Sequence, residues 1–298
     1  MHYKTKEGET AYLSAYKAAM NSWPVPWKEI EVSNRFGTTY VIASGPEEAQ
    51  PLILLHGFFT TSILWTPNIS ELSSVYRIYA IDIMGNRNRS EPKDPITNSD
   101  EIVDWLGRTL TGLGLDGVYL MGMSFGAWIA LKFSLAEPIR VKKLALISPA
   151  ASLLPLVKQF MPRALLSMLP PKKFWFKSLM DWMGIKGGPG NKFSQRLLDL
   201  MWLGAENIKT SAESMHVMPT VYTDDELSAL RMPVLLLIGE NEVIYSAEKA
   251  LARARKLIPN LIGELVPNCG HDISFSQHEI VDERVLGFLN ADLQDRKD

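Results

Sequence analysis

Short, uninterrupted apolar runs alternate along this chain with longer stretches in which apolar residues recur every three or four positions. Leu52-Ile53-Leu54-Leu55, Ile78-Tyr79-Ala80-Ile81, Val118-Tyr119-Leu120-Met121, Lys143-Leu144-Ala145-Leu146-Ile147 and Val234-Leu235-Leu236-Leu237-Ile238 are too short for buried helices. Their near-continuous apolarity predicts parallel strands covered on both faces. A further strand is expected at 263–266. The intervening segments 62–73, 98–113, 127–136, 247–257 and 279–289 carry helical spacing. At 98–113, Asn98 or Ser99 precedes Asp100-Glu101 as an N-cap signal, and Gly112 and Gly114 mark the stop. Strands and helices in this alternation predict an α/β protein with a doubly wound, mostly parallel sheet.

The pattern changes at two places. Before the first buried strand, 10–20 is mildly amphipathic, and Trp23-Pro24-Val25-Pro26-Trp27 breaks the helix and reads as an extended tether. A hairpin of partly polar strands is expected at 29–35 and 39–43. Between about 149 and 231 no strand stands out, and Phe160-Met161, Phe174-Trp175-Phe176, Met180-Asp181-Trp182-Met183 and Met201-Trp202-Leu203 are separated by Pro170-Pro171 and Gly187-Gly188-Pro189-Gly190. Several short helices with apolar faces would fold there as a cap over the sheet. The expected organisation is an N-terminal helical extension at 1–28, a core at 29–148 and 232–298, and a helical cap at 149–231.

Composition narrows the class. With 298 residues, 46% hydrophobic and 21% charged, the chain can bury a large core. A net charge of −2 and no long Lys/Arg block give no electrostatic footprint for nucleic acid or an anionic membrane. The one cysteine, Cys269, excludes an intrachain disulfide and suits a reducing compartment. The N-terminus lacks a signal-like apolar region and no stretch approaches the ~18 apolar residues of a membrane span. A cytoplasmic protein with a small-molecule substrate is expected, and nothing in the pattern sets an oligomeric state.

The chemistry concentrates at Gly122-Met123-Ser124-Phe125-Gly126, which joins an apolar strand to a helix. Small residues flank a tight turn that would expose the Ser124 hydroxyl at a helix N-terminus, where developing negative charge is favoured. Such a hydroxyl needs a base. Of the five histidines, His2 lies in the terminus, His216 in the insertion, His278 at the start of the last helix, and His56 beside Gly57 in a turn with a backbone role. His271 lies in the loop Pro267-Asn268-Cys269-Gly270-His271-Asp272 after the last strand, at the sheet edge where sites assemble. The orienting acid should also follow a strand, and Glu240 and Glu242 both qualify. Asp82 is expected to cap its turn, and Asp272 is too near His271 to reach under the ring.

In the order Ser124, acid, His271, the chain resembles the α/β-hydrolase superfamily from about 29 to 289. The matching marks are His56-Gly57-Phe58-Phe59 with Ser62 and Trp65, Asp82 with Gly85, the Ser124 turn, the acid loop and Gly270-His271. The resemblance implies that the acid is Glu242, third after the strand-ending Gly239. It also implies that the backbone N–H groups of Phe58 and Phe125 hold an oxyanion, and that a cap is inserted after the sixth sheet strand. The sequence departs from the family at Met84-Gly85-Asn86-Arg87-Asn88-Arg89-Ser90, which is one residue longer than the usual turn and lacks its second glycine. It departs again in using Glu rather than Asp. Serine at the turn disfavours haloalkane dehalogenase and epoxide hydrolase chemistry, which use aspartate there. The implied function is hydrolysis of small to medium apolar carboxylic esters through an acyl-enzyme, with no cofactor and no metal. Thioester, lactone, amide or carbon–carbon cleavage, peracid formation, and a receptor with a vestigial triad are the alternatives.

Overall fold

The structure, a computed structural model, describes residues 2–168, 173–187, 191–209 and 217–294. It opens with α1 (Lys6–Met20), which begins before the apolar spacing starts because Thr5 Oγ1 accepts from Gly8 N at 3.0 Å and Glu7 and Glu9 occupy the first turn. Carboxylates there favour the helix N-terminus. Tyr12, Tyr16, Ala19 and Met20 form its buried face. The tether after it is fixed by Trp23, whose Nε1 donates to Ser44 Oγ at 3.0 Å.

Next come β1 (Trp27–Asn34) and β2 (Gly37–Ser44), an antiparallel hairpin, and then β3 (Pro51–Leu55). The helix expected at 62–73 is corrected. A 3₁₀ turn at Ser62–Trp65 gives way to α2 (Ile69–Ser73), because Pro67 has no N–H to continue one ladder. The chain continues through β4 (Arg77–Ile81), a two-residue β5 (Glu91–Pro92), α3 (Ser99–Gly112), β6 (Val118–Met123), α4 (Phe125–Ala136) and β7 (Val141–Ile147). Asn98 is the N-cap of α3, its Oδ1 accepting from Asp100 N and Glu101 N, both at 3.0 Å.

Between β7 and β8 (Val234–Gly239) lie α5 (Phe160–Met168), α6 (Lys173–Trp182), α7 (Lys192–Asn207) and α8 (Asp224–Ser228). Helix α6 buries Phe176, Leu179 and Met180, and α7 buries Leu197, Leu198, Leu200 and Met201. Helix α7 packs on α1, and Lys4 N donates to Asn207 O at 2.8 Å. The chain closes with α9 (Ala247–Leu257), β9 (Leu261–Val266), α10 (Ile273–Ser276) and α11 (His278–Gln294).

The sheet runs β1-β2-β4-β3-β6-β7-β8-β9, with β5 paired aside to β2. Pairs from β4 to β9 are parallel, whereas β1–β2, β2–β4 and β2–β5 are antiparallel. From β3 the chain turns to one side to form β4 and to the other to form β6. This reversal opens a crevice at the carboxyl ends of β3 and β6. No helix among the described residues is long and apolar enough to cross a membrane.

One buried acid on the last helix sets a pH-dependent stability. Asp282 Oδ1 accepts from Asn68 Nδ2 at 2.8 Å, but Asp282 Oδ2 and Asn68 Oδ1 are both buried without a hydrogen-bond partner, and His278 Nδ1 stands 4.0 Å from the former. Burial pushes this carboxyl up to about 7, against the Asn68 bond and with help from Glu71. The native state therefore binds a proton that the unfolded chain releases near pH ~3.9. Stability falls between these two values as pH rises, and the loss persists above them. Asp282→Asn removes the charge at constant volume. It should raise the melting temperature by several degrees at pH 8 and by little at pH 4, as thermal unfolding at the two values will read out.

Candidate active site

Strand β6 ends in a backbone that only a tight turn allows. Ser124 has φ +54° and ψ −113°, a sparsely populated region that costs about 1–3 kcal/mol. The conformation is held from several sides: Ser124 N donates to Ile147 O at 2.9 Å, and Ser124 O accepts from Trp128 N at 3.1 Å and Ala150 N at 3.2 Å. A Cβ on Gly122 would lie 2.3 Å from Gly126 O, and one on Gly126 would lie 2.1 Å from Leu55 O. Both flanking positions must therefore be glycine.

The loops after β8 and β9 meet above this turn. A Cβ on Gly239 would come within 2.2 Å of Gly270 O, so the acid loop and the histidine loop are in backbone contact, and Asn241 N donates to Cys269 O at 2.9 Å. His271 Nε2 lies 2.9 Å from Ser124 Oγ, and His271 Nδ1 lies 2.7 Å from Glu242 Oε2. A carboxylate only accepts, so Nδ1 carries the proton and Nε2 presents its lone pair to the serine hydroxyl. Glu242 Oε1 accepts from Val243 N at 2.8 Å and Ile244 N at 3.1 Å. Burial alone would lower the His271 pKa, but the charge and hydrogen bond of Glu242, with a smaller push from Asp272, raise it above the ordinary histidine value. Burial opposes ionisation of Glu242, and His271 together with the two N–H groups outweighs it and holds the carboxyl below its usual range.

The structure thus brings Ser124, His271 and Glu242 together and leaves the competing residues elsewhere. Glu240 points to solvent. Asp272 turns back to Gly270 N at 3.1 Å rather than under the ring. Asp82 caps its turn as expected, accepting from Ser62 N at 2.7 Å and Arg89 N at 3.0 Å. His278 is half exposed on α11. His2 is packed in the fold, with Nε2 at 3.1 Å from Asn88 O. His216 lies outside the described residues. Cys269, close to His271 in sequence, is no rival nucleophile, since burial pushes its thiol up to about 12.

Phe58 and Phe125 both line the crevice beside Ser124. Phe125 is the first residue of α4, so its N–H has no intrahelical acceptor. At Phe58 the preceding peptide is oriented by His56 and Thr60. Gly57 O accepts from His56 Nδ1 at 2.7 Å and Thr60 Oγ1 at 3.0 Å. In a trans peptide the N–H points opposite to the C=O, which turns Phe58 N–H away from those two residues. The loop passes beside the serine, since a Cβ on Gly57 would stand 3.6 Å from Ser124 Cβ. Ile83 N donates to His56 Nε2 at 2.9 Å, which fixes the proton on Nδ1, and burial lowers the His56 pKa and keeps the ring neutral.

Above these groups is a cavity of about 280 Å³ walled by β-strand ends and by α5, α6 and α7. Among the described residues, Thr60, Ser124 and His271 supply the polar side chains of its lining, and the others are Phe, Leu, Ile, Ala, Pro and Gly with Met123, Met161, Met180, Met183, Met201 and Met218. Unbranched thioethers adapt to varied apolar shapes. Sequence reading identified the aromatic and methionine clusters but not which of their members face the cavity. Helical spacing in the 149–231 segment would have separated the buried positions of α6 and α7 only once their bounds were known. Among the described residues no three His, Cys, Asp or Glu side chains stand close enough to hold a metal ion.

A strand-to-helix serine turn at a topological switch point, with acid and histidine on the following strand ends, defines a hydrolase of the α/β type. The sequence profile of the alpha/beta hydrolase fold family matches residues 50–277, and the chain belongs to that family. It is 38% identical over 283 residues to the uncharacterized carboxylesterase nap of Bacillus subtilis, covering 94% of this chain and 93% of that one. It is 34% identical over 300 residues to the carboxylesterase YbfK of the same organism, covering 97% of each. The crystal structure of naproxen esterase (carboxylesterase NP) from Bacillus subtilis superposes with a TM-score of 0.88 at 35% identity, over 96% of this chain and 100% of that one.

Proposed function

We propose that this protein is a carboxylesterase that cleaves small to medium apolar esters through an acyl-enzyme on Ser124. The observation that carries the reading is the continuous hydrogen-bond path from Glu242 through His271 to Ser124 Oγ, at 2.7 and 2.9 Å, on the floor of an apolar cavity. His271 Nε2 takes the hydroxyl proton as Ser124 Oγ attacks the ester carbonyl. The Phe58 and Phe125 N–H groups receive the oxyanion, and Glu242 stabilises the imidazolium. Collapse expels the alcohol, protonated by His271. Water then attacks the acyl-enzyme with the same histidine as base, releasing the acid. No step calls on a cofactor.

In this reading 29–148 and 232–298 form the core, 149–231 is a cap that shapes the substrate space, and 1–28 is an extension that braces both. The cavity lies at the small end of ligand pockets, which run about 300–1,000 Å³. The names of the two full-length relatives and of the naproxen esterase support ester substrates, an arylpropionate ester among them. A cytoplasmic location fits the single buried thiol of Cys269, and cell fractionation checks it. The reading is tested by treating the folded protein with a fluorophosphonate and mapping the adduct by mass spectrometry. A single adduct on Ser124, with matching loss of hydrolysis of short-chain aryl esters and of naproxen methyl ester, is expected. Labelling elsewhere, or full labelling with hydrolysis intact, would sink the assignment.

A further inference from the structure

The turn after β4 reaches the site through Asn86. Phe58 lies between two peptide planes, and the first of them is oriented by His56 at Gly57 O. The second ends in Phe59 N–H, which donates to Asn86 Oδ1 at 3.1 Å. Phe59 has φ +60°, a left-handed conformation that an aromatic residue does not adopt without an external hold. The Asn86 carboxamide supplies that hold from a different strand end. The Arg87 guanidinium adds to it by covering the Phe59 ring at 4.5 Å, and the Phe58 ring packs on Phe59 at 4.0 Å and edge-on to Phe125 at 5.0 Å.

The turn is itself held firmly enough to act as a reference. Asn86 is 6% exposed, its N donates to Ile83 O at 3.2 Å, and its O accepts from Asn88 N at 3.0 Å. Asn88 Nδ2 donates to Ile83 O at 2.9 Å. From α1, Tyr12 Oη donates to Arg87 O at 3.1 Å, and a Cβ on Gly204 of α7 would meet Arg87 O at 3.0 Å. Helices α1 and α7 therefore both close on the turn that holds the loop. The turn thereby carries a side-chain acceptor, Asn86 Oδ1, to Phe59 N–H.

We propose that Asn86 is a positioning residue of the oxyanion hole, fixing the Phe58 N–H donor by holding Phe59 in its left-handed conformation; the inference rests on the esterase reading above. Asn86 touches no reacting atom. Its removal lets the Phe58–Phe59 peptide rotate and displaces a donor that must meet charge developing in the transition state. Loss of an oxyanion donor outright costs about 10²- to 10³-fold, and an ångström-scale misplacement about 10²-fold.

The test measures kcat and KM for an aryl ester in wild type, Ser124→Ala, Asn86→Leu and Asn86→Asp. Asn86→Leu keeps the volume without the acceptor and should lose about 10- to 100-fold in kcat with KM within about two-fold, because the donor matters only once the oxyanion forms. Asn86→Asp keeps an acceptor oxygen and should restore most of that loss. An Asn86→Leu variant that turns over within about two-fold of wild type, or that changes KM alone, overturns the proposal. So does failure of Asp to recover kcat in a folded variant. Absence of Ser124-dependent turnover in the wild type removes the esterase reading and this inference together, whereas its presence with an unaffected Asn86→Leu removes only the inference. If Asn86→Leu does not fold, amide exchange on the wild-type protein decides: Phe59 N–H should be protected, and Phe58 N–H should become protected only when a boronic acid occupies the site. A fast-exchanging Phe59 N–H contradicts the hold.

Discussion

Ser124→Ala should lower kcat for a short-chain aryl ester by about 10⁶-fold, the cost of removing the nucleophile when base and oxyanion donors have nothing left to act on. The substitution is structurally mild. Alanine keeps the Cβ and therefore the same backbone requirement at φ +54°, and the bonds from Ser124 N to Ile147 O and from Trp128 N to Ser124 O are main chain. Only the 2.9 Å contact to His271 Nε2 is lost. The melting temperature should stay close to wild type while turnover and phosphonate labelling disappear. Steady-state hydrolysis beside a thermal melt separates the two effects, and an active Ser124→Ala protein would rule out the acyl-enzyme route.

Glu242→Gln should cost about 10⁴-fold in kcat through the proton inventory rather than through shape. Val243 N and Ile244 N both donate to Glu242 Oε1. In the glutamine those donors claim the amide oxygen, so the NH₂ faces His271 Nδ1. The ring must then accept at Nδ1 and carry its proton on Nε2, where it meets the Ser124 hydroxyl with no lone pair. The pH profile supplies a second signature. Activity needs neutral His271, so kcat/KM falls as pH drops through the pKa of that residue. In the wild type that acid limb sits above the ordinary histidine value of ~6.5 because Glu242 raises it. Without the carboxylate, burial is the leading influence, and the residual activity should keep its acid limb to lower pH. A profile of Glu242→Gln with an unmoved limb would mean that Glu242 does not face the catalytic base in solution.

Much of this site was readable in the sequence because each part is fixed by local chemistry. The Ser124 turn announces itself through Gly122 and Gly126, whose missing side chains make room for Gly126 O and Leu55 O. Strands β3, β6 and β8 were legible because they are buried on both faces, which leaves an unbroken apolar run. The choice between Glu240 and Glu242 was not readable from the residues alone, since both follow the strand. It follows in the structure from one facing solvent and the other accepting from His271. The 62–73 segment misled because its apolar spacing spans Pro67 without showing that the ladder stops there. His2, Asn86 and Arg87 were opaque for another reason. Their partners are tens of residues distant in sequence, so no local pattern encodes them.

The cavity lining has a consequence for how turnover ends. A neutral ester enters a space where, among the described residues, Thr60, Ser124 and His271 are the polar side chains, but hydrolysis turns it into an acid that ionises in water. A carboxylate held there loses its hydration, and two N–H donors such as those proposed at Phe58 and Phe125 repay only part of that loss when no cation stands among the described lining residues. Above the His271 pKa the imidazole is neutral and offers no charge to pair with. The same apolar wall that gathers the substrate thus ejects the product, and feedback inhibition by the released acid should be weak at alkaline pH and grow as the histidine gains its proton.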